Sequence, residues 1–88
     1  MAVPNGTLVL FTQSALYITW DHDGVNVDSF VLDIDGTEYD QGALSPISGT
    51  TYRVEWPEAV ESGSHSVAVY AVNEDGRHAS SVVTLTKP

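Results

Sequence analysis

The segment Asp21-x-Asp23-Gly24, followed by Asn26 and Asp28, begins like a calcium-binding loop, where hard oxygen ligands converge on a cation. The spacing then departs from that pattern. An EF-hand loop needs glycine at its sixth position and glutamate at its twelfth. Here the glycine comes fourth and the twelfth residue is Leu32. Asp33 and Asp35 stand two apart, as paired carboxylates of a glycosidase could, yet no insertion accompanies them to build a cleft. A solvated strand face is the simpler reading. His22, His65 and His78 are dispersed, without the close spacing of zinc ligands. The serines form neither a Gly-x-Ser-x-Gly elbow nor part of a glycine-rich phosphate loop. The chain is therefore expected not to be an enzyme, with no catalytic residue, no metal and no cofactor.

Charge narrows the partners further. Twelve acidic residues face only Arg53, Arg77 and Lys87, for a net charge of −9. Phosphate backbones and anionic lipid surfaces attract basic proteins, so neither nucleic acid nor membrane is an expected partner. Much of the acidity is what keeps a small β-protein soluble and its edges apart. There is no cysteine, which removes disulfides and thiolate metal sites and suits a cytosolic origin without excluding secretion. No apolar run approaches the roughly 18 residues of a membrane span. The opening Met-Ala-Val-Pro-Asn-Gly lacks the regions of a signal peptide. A chain used without the secretory route, or an excised domain, is expected, its ends held by contacts.

The elements that position these side chains read as strands. Eighty-eight residues with 42% hydrophobic content suffice for one core. Thr7–Thr12 is predicted as a first strand after an N-terminal arm, Met1–Gly6, that precedes a single domain over residues 7–88. Ala15–Trp20 alternates, with Leu16, Ile18 and Trp20 on one face; Ser29–Asp35 does so with Phe30, Leu32 and Ile34 inward. Asp35-Gly36 is a strong two-residue turn signal into Thr37–Asp40. Gln41–Gly49 reads as loop, since Pro46 excludes a central strand. Thr50–Trp56 places Tyr52, Val54 and Trp56 together, and a short turn is expected at Pro57-Glu58-Ala59. The segment Ser66–Gly76 is apolar on both faces, which predicts a central strand ending in the turn formers Asn73-Glu74-Asp75-Gly76. Ala79–Thr86 closes the chain. Seven short strands of this kind describe an all-β, seven-stranded antiparallel β-sandwich.

The pattern resembles a fibronectin type III or immunoglobulin-like domain over nearly the whole chain. Trp20 stands where that family ends its second strand in a core tryptophan, with Ile18 and Leu16 before it and Phe11 and Leu8 in the first strand. Phe30 matches the aromatic that opens the third strand. Val69, Ala71, Asn73 and Gly76 fit the penultimate strand and its turn. His65 replaces the tyrosine usual before that strand, and Gly63-Ser64-His65-Ser66-Val67 is similar to bacterial and phage immunoglobulin-like modules. The resemblance implies a structural His65 whose imidazole bonds a nearby backbone group. It also places the Asp21–Asp28 loop and Asn73-Glu74-Asp75 at one end, so a calcium site between them stays open.

What remains for function is surface. In such a sandwich Val31, Asp33, Tyr70 and Val72 share the outer face of one sheet, to which the last strand adds Val82 or Val83 according to register. Tyrosine beside aliphatic residues is a frequent interface composition, although scattered apolar surface residues need no explanation. The arm and exposed edge strands offer further contacts. A structural and binding module is expected, docking on a capsid or tail lattice as a phage virion accessory protein, through capsid or tail subunits or copies of itself. The alternative is a secreted, extracellular spacer or binding module of a bacterial enzyme or adhesin, holding protein or glycan. Trp56 and Tyr17 would then be its exposed rings.

Overall fold

Alternating apolar residues fold into strands when one face of each can be buried, and here they do so twice over. The computed structural model describes residues 2–88; Met1, the first residue of the arm, falls outside them. Among the described residues the strands are β1 (Val9–Phe11), β2 (Tyr17–Asp21), β3 (Ser29–Ile34), β4 (Thr37–Gly42), β5 (Thr51–Glu55), β6 (Gly63–Asn73), β7 (Gly76–Ala79) and β8 (Val83–Lys87). They form two antiparallel sheets. One has the order β1-β2-β5 and the other β4-β3-β6-β7, with β8 also paired to β6.

The core lies between the sheets. Trp20, Ile18, Leu10, Tyr52 and Trp56 come from or adjoin the three-stranded sheet, and Phe30, Leu32, Ile34, Val67, Val69 and Ala71 from the larger one. Trp20 stacks on Tyr52, its cross-strand neighbour, at 5.9 Å between ring centroids, and Phe30 meets Tyr52 at 4.6 Å. Such pairs prefer offset or tilted contact, adding to the area they bury.

Several predicted boundaries shift for local reasons. Leu16 is 64% exposed rather than in the core, because Tyr17 N donates to Ser14 O and the turn so closed removes Leu16 from the strand alternation. In the first strand Leu8 and Leu10 are buried, while Phe11 lies opposite Thr19 on the outer face, half-buried. β4 runs on to Gly42 by means of a bulge that pairs Phe30 with Gly42 and Val31 with Asp40. The single closing strand expected over Ala79–Thr86 is two strands, β7 and β8, both on the same side of β6. Between them Ser80 keeps the ladder satisfied: its N–H donates to Val69 O at 2.8 Å and its hydroxyl oxygen accepts from Val69 N at 2.9 Å.

The tight turns follow their residues. Asp35 and Gly36 have φ of +54° and +88°, the left-handed pair that a two-residue hairpin requires. Val60 N donates to Pro57 O, closing the turn expected there. At the other end Asn73, 6% exposed, holds three groups: its amide donates to Ala2 O at 2.5 Å and Asn26 O at 2.9 Å, and its oxygen accepts from Asp75 N. Pro4 is buried, and Gly76 leaves room for Val3, whose Cγ2 would lie 3.1 Å from a Cβ there. Residues 2–6 thus lie along the domain.

Candidate functional site

The paired strands β3 and β6 form the middle of the larger sheet and bring all four predicted face residues together. Val31 pairs with Tyr70, Asp33 with Ala68 and Ser29 with Val72. Alternation turns Phe30, Leu32, Val69 and Ala71 into the core, so Val31, Asp33, Tyr70 and Val72 look outward, each half-buried. β4 sets Glu38 beside Asp33 and Asp40 beside Val31, while β7 sets Arg77 beside Val72 and Ala79 beside Tyr70. Neither expected valine joins them. Val82 is exposed in the break between β7 and β8, and Val83 packs partly against the core.

One side chain crosses this face. Arg77 starts on β7, its guanidinium carbon lies 4.1 Å above the centre of the Tyr70 ring, and Nη1 donates to Glu38 Oε2 on β4 at 2.9 Å. Because β3 and β6 intervene, the strap spans the sheet. Glu38 and Asp33 are directly opposed like charges, an unfavourable cross-strand pair that a cation relieves. Asp33 Oδ1 also accepts from Gly36 N at 2.9 Å, and Asp40 Oδ1 from Gly42 N at 2.8 Å. Sequence reasoning missed Arg77 and Glu38. The Asp35-Gly36 turn was the available signal, since it puts Glu38 opposite Asp33 and demands a positive neighbour from a chain with three fixed cations.

His65, Asp35 and His22 are bonded to turns and strand ends. His65 Nδ1 lies 2.5 Å from Asp35 Oδ2, and His65 Nε2 lies 2.7 Å from Glu61 O. Both partners are acceptors, so the site suits the doubly protonated ring, in which both nitrogens donate. The Asp35 hydrogen bond raises the His65 pKa above its ordinary value and, with Ser66 N on Oδ1 at 2.9 Å, lowers that of Asp35. His22 is the reverse case: burial lowers its pKa, and Nδ1 accepts from Gly24 N at 2.9 Å. Burial likewise raises the Tyr52 phenol.

In the Asp21–Asp28 loop, Asp21 Oδ1 accepts from Thr51 Oγ1 and Asp23 Oδ1 from Val25 N. Asn73, bonded to Asn26 O, is what joins this loop to the β6–β7 turn. Among the described residues, no group of three or more His, Asp or Glu side chains could hold a metal ion.

At the far end an open groove of about 340 Å³ is lined by Leu16, Tyr17, Glu55, Trp56, Lys87 and Pro88. Trp56 is not the exposed ring anticipated: it is 8% exposed and its indole donates to Ala15 O at 3.1 Å. Tyr17 is half-buried, with the Arg53 guanidinium 4.2 Å from its ring centre. Lys87 Nζ turns onto the carbonyl oxygens of Pro57 and Val60. Comparison with known proteins finds no matching family model, curated protein or solved structure.

Proposed function

We propose that this chain is a non-enzymatic structural and binding module of fibronectin type III or immunoglobulin-like type. It docks on a protein partner through the outer face of the five-stranded sheet. The strand orders β1-β2-β5 and β4-β3-β6-β7, and the core tryptophan on β2, support the domain type. The observation that carries the docking reading is the half-buried Val31–Tyr70 pair at the middle of that face, with Val72 beside it and one guanidinium over the Tyr70 ring. Aromatic and arginine side chains of this kind are enriched where interfaces hold their energy. Asp33, Asp35 and His65 bond turns and strand ends, which favours a scaffold over an enzyme. The setting proposed is a phage virion, where the module is a head-decoration or tail-associated subunit.

The test is co-sedimentation with the particle fraction of the native source. Val31→Asp and Val72→Asp are expected to lose at least about tenfold of that association, as removal of a central interface contact does. Val9→Asp, on the opposite sheet at a position 48% exposed, is expected to retain it. Equal retention by all three variants contradicts the reading.

The groove lined by Tyr17 and Trp56 favours a second reading, a secreted module that holds glycan there. Retention on immobilised polysaccharide that Tyr17→Ala abolishes, with co-sedimentation unaffected by the face variants, would replace the first reading with this one.

A further inference from the structure

We infer that the docking face is a seat for an arginine side chain of the partner, which Arg77 occupies from within the chain. This rests on the docking reading above and names the chemistry of what docks. Tyr70 presents the negative face of its ring to a guanidinium 4.1 Å away, and Glu38 receives the same guanidinium at 2.9 Å. A planar cation is thus already bound in the geometry such a seat needs.

Around it the charge is one-sided. Asp33 and Glu38 face each other across β3 and β4, and Asp40 flanks Val31. The chain has two other fixed cations, and both are engaged elsewhere. Arg53 covers Tyr17 on the three-stranded sheet, and Lys87 is held by the carbonyls of Pro57 and Val60. Arg77 pairs with Glu38, so a cation that also complements Asp33 and Asp40 has to come from a partner. Val31 and Val72 offer apolar surface to the stem of an incoming side chain, as snorkelling arginines require. Arginine suits the site better than lysine because it stacks flat on a ring while pairing with a carboxylate in its own plane.

Arg77 is an exchangeable occupant. Its side chain is 44% exposed and that of Glu38 is 47% exposed, so the pair is open to water and competitors. A partner arginine displaces the strap and takes over Tyr70 and Glu38.

The experiment is an NMR titration of the full chain with acetyl-Val-Arg-Val-Arg-Val-amide and its citrulline analogue, which has the same shape without the charge. The arginine peptide is expected to shift Tyr70 and Glu38 resonances and to bind at least about tenfold more tightly than the citrulline one, as loss of a cation–π and ion-pair contact implies. Arg77→Met, which vacates the seat, is expected to tighten binding about fivefold. Glu38→Gln and Tyr70→Leu weaken it by a similar factor, whereas Tyr70→Phe, which keeps the ring, does not. Glu58→Gln, a remote acid exposed in the turn after β5, leaves it unchanged.

Equal binding of the two peptides, no tightening in Arg77→Met, or a loss in the remote variant equal to that in Glu38→Gln overturns the inference. If that happens while Val31→Asp and Val72→Asp still lose co-sedimentation, the face docks something other than arginine. If co-sedimentation is also untouched, the docking reading falls too.

Discussion

His65 Nδ1 sits 2.5 Å from Asp35 Oδ2, tying the start of β6 to the turn between β3 and β4. The same ring holds Glu61 O on its other nitrogen, so the staple joins three segments and needs both protons.

Stability should therefore fall on the alkaline side. The folded His65 pKa is raised above 6.5, so its contribution is complete below 6.5 and lost as pH rises through the folded value. Asp35, lowered from 3.8, contributes above 3.8 and loses that contribution as pH falls through its folded value. His65→Gln should flatten the decline of Tm above pH 6.5; an unchanged alkaline limb contradicts the staple.

His22 works with the opposite sign. Burial lowers its folded pKa below 6.5, so the unfolded chain takes up a proton first and stability falls as pH drops from 6.5 toward the folded value. Together the two histidines place the best stability near 6.5. Chemical denaturation from pH 5 to 8 checks this, and His22→Asn should lift the acidic limb relative to neutral pH.

Asn73→Ala removes three hydrogen bonds at a position 6% exposed. The expected cost is about 1–3 kcal/mol, that of leaving buried backbone groups unpaired. Amide exchange at residues 2–6 should accelerate as well, since the Ala2 tether is lost.

Screening should stabilise the chain. Twelve acidic residues against three fixed cations repel one another in the folded state. Raising sodium chloride from about 20 mM to about 500 mM, where the Debye length falls to a few ångströms, should raise Tm by several degrees. A fall in Tm would show that the few ion pairs outweigh the repulsion.

The parts of the fold that sequence discloses are those where one periodic rule governs. Phe30, Leu32 and Ile34 alternate inward, as do Val67, Val69 and Ala71, because β3 and β6 pair in unbroken register and are buried on one side. Asp35-Gly36 declares its turn by the left-handed conformation both residues adopt. Leu16 misleads because a turn interrupts the alternation one residue before β2 begins, and the β7–β8 break depends on Ser80, whose value lies in bonds to Val69. Trp56 looked free for binding, yet the chain folds it under and bonds its indole to Ala15 O. On the proposed docking face, Val31, Asp33, Tyr70 and Val72 follow from alternation alone. Arg77 reaching Glu38 does not, because its contact joins β7 to β4 across two intervening strands, a distance no local pattern encodes.

The docking face is tested most directly by a photo-crosslinker, p-benzoylphenylalanine, placed in the native source either at Tyr70 or, as a control, at Tyr17 on the opposite sheet. One discrete protein adduct is expected from position 70 and none from position 17. No adduct at 70, or the same adduct from both positions, would contradict the docking reading.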